Sequence, residues 1–380
     1  MSVNSYDIAY NNLKKYLEKD ILLYASQRNY DFGPEKRNNV SNLSKFITHR
    51  ILNEFELIKS VLEKHKLKNV EKFIQEIFWR IYWKGWLENR PKVWVDFIDS
   101  LKSIEENDAY VNACNANTKI HCFNEWVKEL KNYKYLHNHT RMWFASIWIF
   151  TLKLPWQKGA EFFLKHLYDG DPASNTLSWR WVAGLQTKNK NYIAKSWNIE
   201  KYSNNRFSNV PLNENALPLE ELKTFPLNKI NYNENFIKKN DHLLLFENDL
   251  CFIERKDLFE SYKNISVILL ENELRKISLS EKVLNFKKKM ILDFKSNFKN
   301  CNLVFLGKTL NNFPKDKEFD VIYPSIGENL DFLNYIKNKL NLSYNFFFRT
   351  NDLYCWKFAT KGFFNFKNNI PNILNNLKLS

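Results

Sequence analysis

The apolar residues of this chain change their period once, and that change limits the fold more than any other feature. Through residues 1–200 they recur every three or four positions, as in VEKFIQEIFWRIYWKGWL (Val70 to Leu87) and MWFASIWIF (Met142 to Phe150). That spacing lines them up on one face of a helix. Later they form short unbroken runs: HLLLF (His242 to Phe246), ISVILL (Ile265 to Leu270), NLVFLG (Asn302 to Gly307), FDVIYP (Phe319 to Pro324) and YNFFFR (Tyr344 to Arg349). Such runs suit strands buried on both faces of a sheet. Helical stretches such as SEKVLNFKKKMILDFKSNFKN separate some of them, which predicts an α/β region with a mainly parallel sheet. Between the two patterns lies a polar segment with Pro211, Pro218 and Pro226, which reads as a linker. The expected organisation is a mostly α domain over residues 1–207, a linker over 208–235 and a smaller α/β domain over 236–380.

Composition narrows the partners. The net charge of +15 favours a polyanion, nucleic acid first. Lys, Asn, Ile and Phe are abundant throughout, however, so part of that charge is compositional. The five cysteines form no C-x-x-C pair and their number is odd, which argues against a zinc site or a disulfide framework. They read as reduced thiols of a cytoplasmic protein. No histidine spacing suits a metal, and no metal is expected. No run of ~18 uncharged apolar residues appears, so no membrane association is expected. A monomer is expected.

Two segments hold polar groups where core packing does not need them. In QEIFWRIYW, Glu76, Trp79, Arg80 and Trp83 share one helix face at i, i+3, i+4 and i+7. The ordinary reading is a core tryptophan pair beside a surface Glu76–Arg80 pair. In DGDPASN, Asp171 before Pro172 suits a helix N-cap followed by the first helical position. Asp169 and Arg141 lie in strongly apolar surroundings, and a buried charge needs a partner. Only eight glycines occur and no G-x-G-x-x-G, so no dinucleotide loop of that kind competes.

These segments resemble the flavin-binding helical domain of the DNA photolyase/cryptochrome family. Tyr135–Met142 (YLHNHTRM) is similar to its W-x-H-N-R-x-R-M, Asp169–Asn175 to its D-G-D-x-A-x-N, and the helix around Glu76 to its N-E-L-I-W-R-E-F. YASQRNYDFGPEKRNNVSNLS is similar to its Y-x-x-Q-R…T-S-x-L-S, with Val40 and Asn42 standing for its usual Thr and Arg. The likeness covers roughly residues 20–206. GLQTKNKNYIAKSWNIEKYSNNRF (Gly184 to Phe207) resembles a short bacterial subgroup that lacks the N-terminal antenna domain.

The resemblance implies FAD as cofactor. Arg141 and Asp169 would pair near the isoalloxazine, Asp171 would bond the flavin or its ribityl region, and Asn175 would face N5. Tyr24, Ser41, Leu43 and Ser44 would cradle the diphosphate, with Phe73, Arg80 and Asn138 also against the cofactor. It further implies light-driven repair of cyclobutane pyrimidine dimers in UV-damaged DNA. Arg28, Glu76, Trp79, Asn138, Met142 and Trp181 would meet the lesion strand. His139 stands where the family carries an Arg that contacts that strand. Trp179 and Trp156 would feed electrons to the flavin. The family's surface Trp falls near Ser103, and Tyr110 is a candidate substitute. The alternatives are a cryptochrome-like photosensor without repair and a flavin-binding interaction protein. Gly307 and Gly327, after strands, suggest by analogy a ligand crevice in the α/β domain.

Overall fold

The computed structural model describes residues 4–228, 230 and 236–379. The chain divides into two compact units, each built from separated segments. One comprises Met1–Glu18, Leu43–Pro91 and Leu227–Ser380; the other comprises Lys19–Asn42 and Lys92–Pro226.

The first unit is organised around a five-stranded parallel sheet in the order β3-β2-β1-β4-β5. Its strands are β1 (His242–Phe246), β2 (Asn264–Leu270), β3 (Cys301–Leu306), β4 (Glu318–Ile322) and β5 (Ser343–Phe347). Each coincides within a residue or two with one of the unbroken apolar runs. β1 is buried at every position, as a central strand covered on both faces must be. Leu244, Phe246, Ile268, Leu270, Val321 and Leu333 lie in one apolar core around it.

Helices from the N-terminal half also belong to this unit. In Ser5–Glu18, the Tyr6 hydroxyl donates to the Leu250 carbonyl and the Ser5 backbone N–H to Asp293 at 2.9 Å. Glu54–Lys64 starts at Asn53, whose side chain accepts from Phe55 N at 2.8 Å, a standard N-cap. The long helix Leu67–Glu88 buries Phe73, Ile74, Ile77, Phe78, Ile81 and Leu87. At Gly85 it touches the Thr350–Trp356 helix so closely that a Cβ would lie 2.6 Å from the Trp356 ring. The sequence places residues 1–207 in one domain. By compactness, residues 1–18 and 43–91 group instead with the C-terminal sheet, because their apolar faces are covered there. Helical periodicity reveals that a face is buried, but not which part of the chain buries it.

The sheet reverses its winding between β1 and β4, the usual place for a ligand crevice. Buried charged side chains gather after β1 and beside the segment that follows β4. Glu88, at the end of the long helix, accepts from the Tyr323 hydroxyl at 2.8 Å and from Ile326 N at 2.9 Å. Buried Glu247 binds Lys287, Arg275 and Asn329. Buried Asp249 binds Arg50 and Arg349. Polar contacts within the unit thus lie beside Gly327.

The second unit is helical: Lys92–Leu101, Asp108–Cys114, His121–Tyr133, Asn138–Ser146, Trp156–His166, Pro172–Ala183 and Ser196–Tyr202. A π-helical turn, Ile147–Thr151, extends the fourth of these. Trp94, Trp126, Trp143, Trp148 and Trp179 are fully buried. The first half of the expected linker packs within this unit: Leu219 N donates to the Ala183 carbonyl, and Glu221 accepts both terminal nitrogens of Arg180. Residues 229 and 231–235 of that segment lie outside the described residues. Among the described residues no helix is long and apolar enough to cross a membrane.

Candidate functional site

In the helical unit, the candidate residues converge around Asp169. Its carboxylate is almost fully buried and receives two bonds from Arg141 Nη2, at 2.8 and 3.0 Å. Arg141 Nε donates to the Leu136 carbonyl at 2.9 Å, which fixes the guanidinium on its other edge. The Arg141 side chain as a whole keeps about a quarter of its surface (23%) exposed. Two residues later, Asp171 is the N-cap of the Pro172–Ala183 helix and accepts from Ser174 N at 2.8 Å. The capping role read from sequence is therefore real; a cofactor role would be additional. Asn175, one turn on, donates to the Ala160 carbonyl at 2.9 Å, which sets the orientation of its amide.

Trp179 lies one turn beyond Asn175, and its indole N–H is buried without a partner among the described residues. The tryptophan packed against it is Trp148, edge to face at 6.2 Å between centroids. Gly159 allows this approach, since a Cβ there would stand 2.2 Å from the Trp179 ring. Trp148 sits in the π-helical turn, its N–H held by the Pro155 carbonyl at 2.9 Å. Tyr110 also meets Trp148 edge to face, at 5.9 Å. Trp156 stacks on Phe97 at 5.6 Å. Sequence reasoning missed Trp148, whose family-like spacing is absent; the wide π turn that aims it leaves no sequence signature.

Other candidates are placed as follows. Asn138 is exposed at the start of the Asn138–Ser146 helix, with Met142 half-buried one turn on. Trp181 is half-buried and stacks on Tyr192 at 5.8 Å. Tyr24 begins the short helix Tyr24–Gln27, and Arg28 donates to the Ala25 carbonyl. Ser41 is half-buried. His139 is turned inward: its ring nitrogens meet the Asn29 carbonyl at 2.9 Å and the Tyr192 hydroxyl at 3.3 Å. It braces the fold where an Arg would reach outward.

A second buried acid, Asp31, was not singled out from sequence. It is fully buried and bound by Arg37, Arg206, Thr140 and Gly33 N. Burial alone would raise its carboxyl; Arg37 and Arg206 outweigh that and hold it below the usual range. Near it, burial pushes His137 down to about 4, so the imidazole is neutral at pH 7.

In the sheet-containing unit, Arg80 is braced by Glu54 at 3.3 Å and by the Thr48 hydroxyl at 3.0 Å. The long-helix tryptophan Trp79 is half-buried in an aromatic cluster with Tyr82, Trp83 and Phe363. Glu76 is half-buried one turn before it, and buried Phe73 packs on Tyr16 at 5.5 Å. Leu43 is buried, and Ser44 opens the Ser44–Thr48 helix with a buried hydroxyl that has no partner among the described residues. Glu56, Cys251 and Glu254 bring their ligand atoms within 4.8 Å of one another, with the Cys251 thiol donating to Glu254 and Tyr10 to Glu56.

Comparison with known proteins defines the class. Residues 73–209 match the family described as the FAD binding domain of DNA photolyase. A deoxyribodipyrimidine photo-lyase of Buchnera aphidicola (subsp. Baizongia pistaciae) is 28% identical over 203 residues, covering 49% of this chain and 40% of that protein. One from Streptomyces griseus is 32% identical over 152 residues, covering 39% and 32%. A crystal structure of a bacterial class III photolyase from Agrobacterium tumefaciens matches 52% of this chain and 42% of that one, at 23% identity and a TM-score of 0.45. The chain thus spans less than half the length of these relatives. The matched region is thus similar to the FAD binding domain of DNA photolyase, which makes FAD the cofactor to test against the residues present. The residues present fit that group. Within the helical unit, Arg141 offers a partly exposed cation braced by Asp169, and the Trp179 N–H is a buried donor without an acceptor among the described residues.

Proposed function

We propose that this protein repairs cyclobutane pyrimidine dimers in UV-damaged DNA in a light-driven, FAD-dependent reaction. The observation that carries the reading is the Arg141–Asp169 pair. It stands ahead of an Asp171-capped helix that also bears Asn175 and Trp179, inside the matched domain. FAD held there would supply the light-driven electron chemistry that such a repair needs. Arg141 stabilises negative charge on the cofactor, with Asp169 fixing its guanidinium. Asn175 presents an amide able to donate or accept. Tyr24, Ser41, Leu43, Ser44, Phe73, Arg80 and Asn138 complete the cofactor contacts. Glu76 offers a carboxyl to the carbonyls of the dimer, and Trp79, with Arg28, Asn138, Met142 and Trp181, meets the flipped bases or their strand. Flipping costs a few kcal/mol, least for damaged bases; an aromatic platform returns ~1–3 kcal/mol per base.

The test is a repair assay on a dimer-containing oligonucleotide with light and dark arms. Repair in the light alone is expected. Glu76→Ala should lower the repair yield while FAD stays bound, and Trp79→Ala should weaken lesion binding by roughly 1–3 kcal/mol, one base stack. Equal light and dark arms would favour a photosensor.

Electron supply has a separate test. Trp179→Phe should block photoreduction of oxidised flavin, because Phe is far harder to oxidise. The contacts of Trp148 with both Trp179 and Tyr110 make Trp148→Phe the next most damaging change. Flash spectroscopy reads both, and wild-type photoreduction in Trp148→Phe would return the relay to Trp156.

A further inference from the structure

The long helix is joined to the C-terminal end of the chain at the residue read as the lesion platform. The Phe363 ring lies on the face of the Trp79 indole, with centroids 3.6 Å apart and planes 12° from parallel. Phe363 is itself buried, and begins the Phe363–Lys367 helix. Its ring also meets Tyr82 at 5.4 Å and Phe366 at 6.0 Å.

The turn leading to Phe363 is fastened to the same helix. Tyr82 Oη donates to the Lys361 carbonyl at 2.8 Å, Arg90 Nη2 to the Thr360 carbonyl at 2.7 Å, and Asn89 Nδ2 to the Trp356 carbonyl at 3.1 Å. Gly85 admits Trp356 beside them. Phe363 is thus held independently of Trp79, which is what a rigid backing for a movable ring requires.

We propose that Phe363 is a positioning residue for DNA recognition. It fixes the Trp79 indole from one side, so that the surface Trp79 leaves exposed is a preformed stacking platform for a flipped base. The proposal rests on the reading of Trp79 as lesion-facing. It gives the C-terminal helices a part in recognition that neither the matched domain nor the sheet supplies. Ordering a free aromatic side chain on binding would weaken association roughly 2- to 10-fold, a cost that the stack removes in advance.

A double-mutant cycle on the full chain tests this. Binding of a dimer-containing oligonucleotide and of its undamaged counterpart is measured in the dark for wild type, Trp79→Ala, Phe363→Leu and the double variant. Near-UV circular dichroism reports the order of the Trp79 cluster. Phe363→Leu is expected to raise the lesion Kd roughly 2- to 10-fold and to leave undamaged-strand binding unchanged. It should also raise KM for repair with kcat retained, and have no further effect once Trp79 is Ala. Phe363→Tyr, which keeps the ring stack, should restore binding. Additive losses in the double variant would overturn the proposal, as would tighter binding by Phe363→Leu, which would make Phe363 a plug. So would unchanged binding by Phe363→Leu when Trp79→Ala binds weakly. If Trp79→Ala alone leaves lesion binding intact, the lesion-platform reading fails first. Should Phe363→Leu not fold, Phe363→Met enters the same cycle with the same criteria.

Discussion

Ending the chain after Asn205 is expected to abolish folding of the N-terminal helices, and FAD uptake with it. All the residues assigned to cofactor and lesion would still be present. Yet Ser5–Glu18, Glu54–Lys64 and the long helix would lose the partners that cover them: Leu250 for Tyr6, Trp356 for Gly85, Tyr323 for Glu88 and Phe363 for Trp79. Uncovering large apolar faces of that kind leads to association or to a state without fixed packing. Near-UV circular dichroism and flavin titration of the shortened chain read this directly. A soluble, cooperatively melting fragment that takes up FAD would show that residues 1–205 are self-sufficient.

Arg50→Ala is expected to cost about 3–5 kcal/mol of stability, the range for breaking a buried ion pair by removing one partner. Arg50 is buried and binds Asp352 at 2.5 Å, Asp249 at 3.2 Å and Glu54 at 3.4 Å, so three carboxylates would lose a cation at once. The same cluster predicts the acid response. Burial alone would raise Glu54, Asp249 and Glu247. Lys84 and Arg50 outweigh it at Glu54, Arg349 and Arg255 at Asp249, and Lys287 and Arg275 at Glu247, so all three are held low, Glu247 at about 2. Carboxyls depressed in the folded state contribute stability that is complete above their unfolded value, about 4. It is lost as the pH falls from there toward 2. In Arg50→Ala the loss should be smaller and should end at a higher pH, because the folded-state values of Glu54 and Asp249 rise while the unfolded ones do not. Denaturant midpoints measured between pH 7 and 3 check both points; parallel curves for the two proteins would count against the cluster.

The strands were legible because a buried parallel strand leaves an unbroken apolar run, and β1 to β5 fall where HLLLF, ISVILL, NLVFLG, FDVIYP and YNFFFR stand. The Asp171 cap was legible because Asp-Pro is a local signal. The partner of Arg80 was not: an i,i+4 pair with Glu76 is the local expectation, whereas the structure gives Arg80 to Glu54, 26 residues away. Trp148, Phe363 and Asp31 escaped notice for the same reason. Each takes its meaning from a ring or charge distant in sequence, and periodicity within one helix carries no information about what packs on it. The unit boundaries failed to show for that reason as well, since the N-terminal helices look alike whichever body they join.

The discontinuous make-up of the sheet-containing unit has a consequence for synthesis. Asn89 closes the long helix on Trp356, 267 residues later. At ~5–20 residues per second, a ribosome needs on the order of half a minute to deliver that partner. Through that interval the aromatic face of the long helix is a nascent surface in search of cover, while Lys92–Pro226 already has most of its own segment. Birth order therefore runs against assembly order: the first helices made are among the last to be secured. Codon usage late in the message, and chaperones that shield early helices, should govern yield more than the melting temperature of the finished protein does.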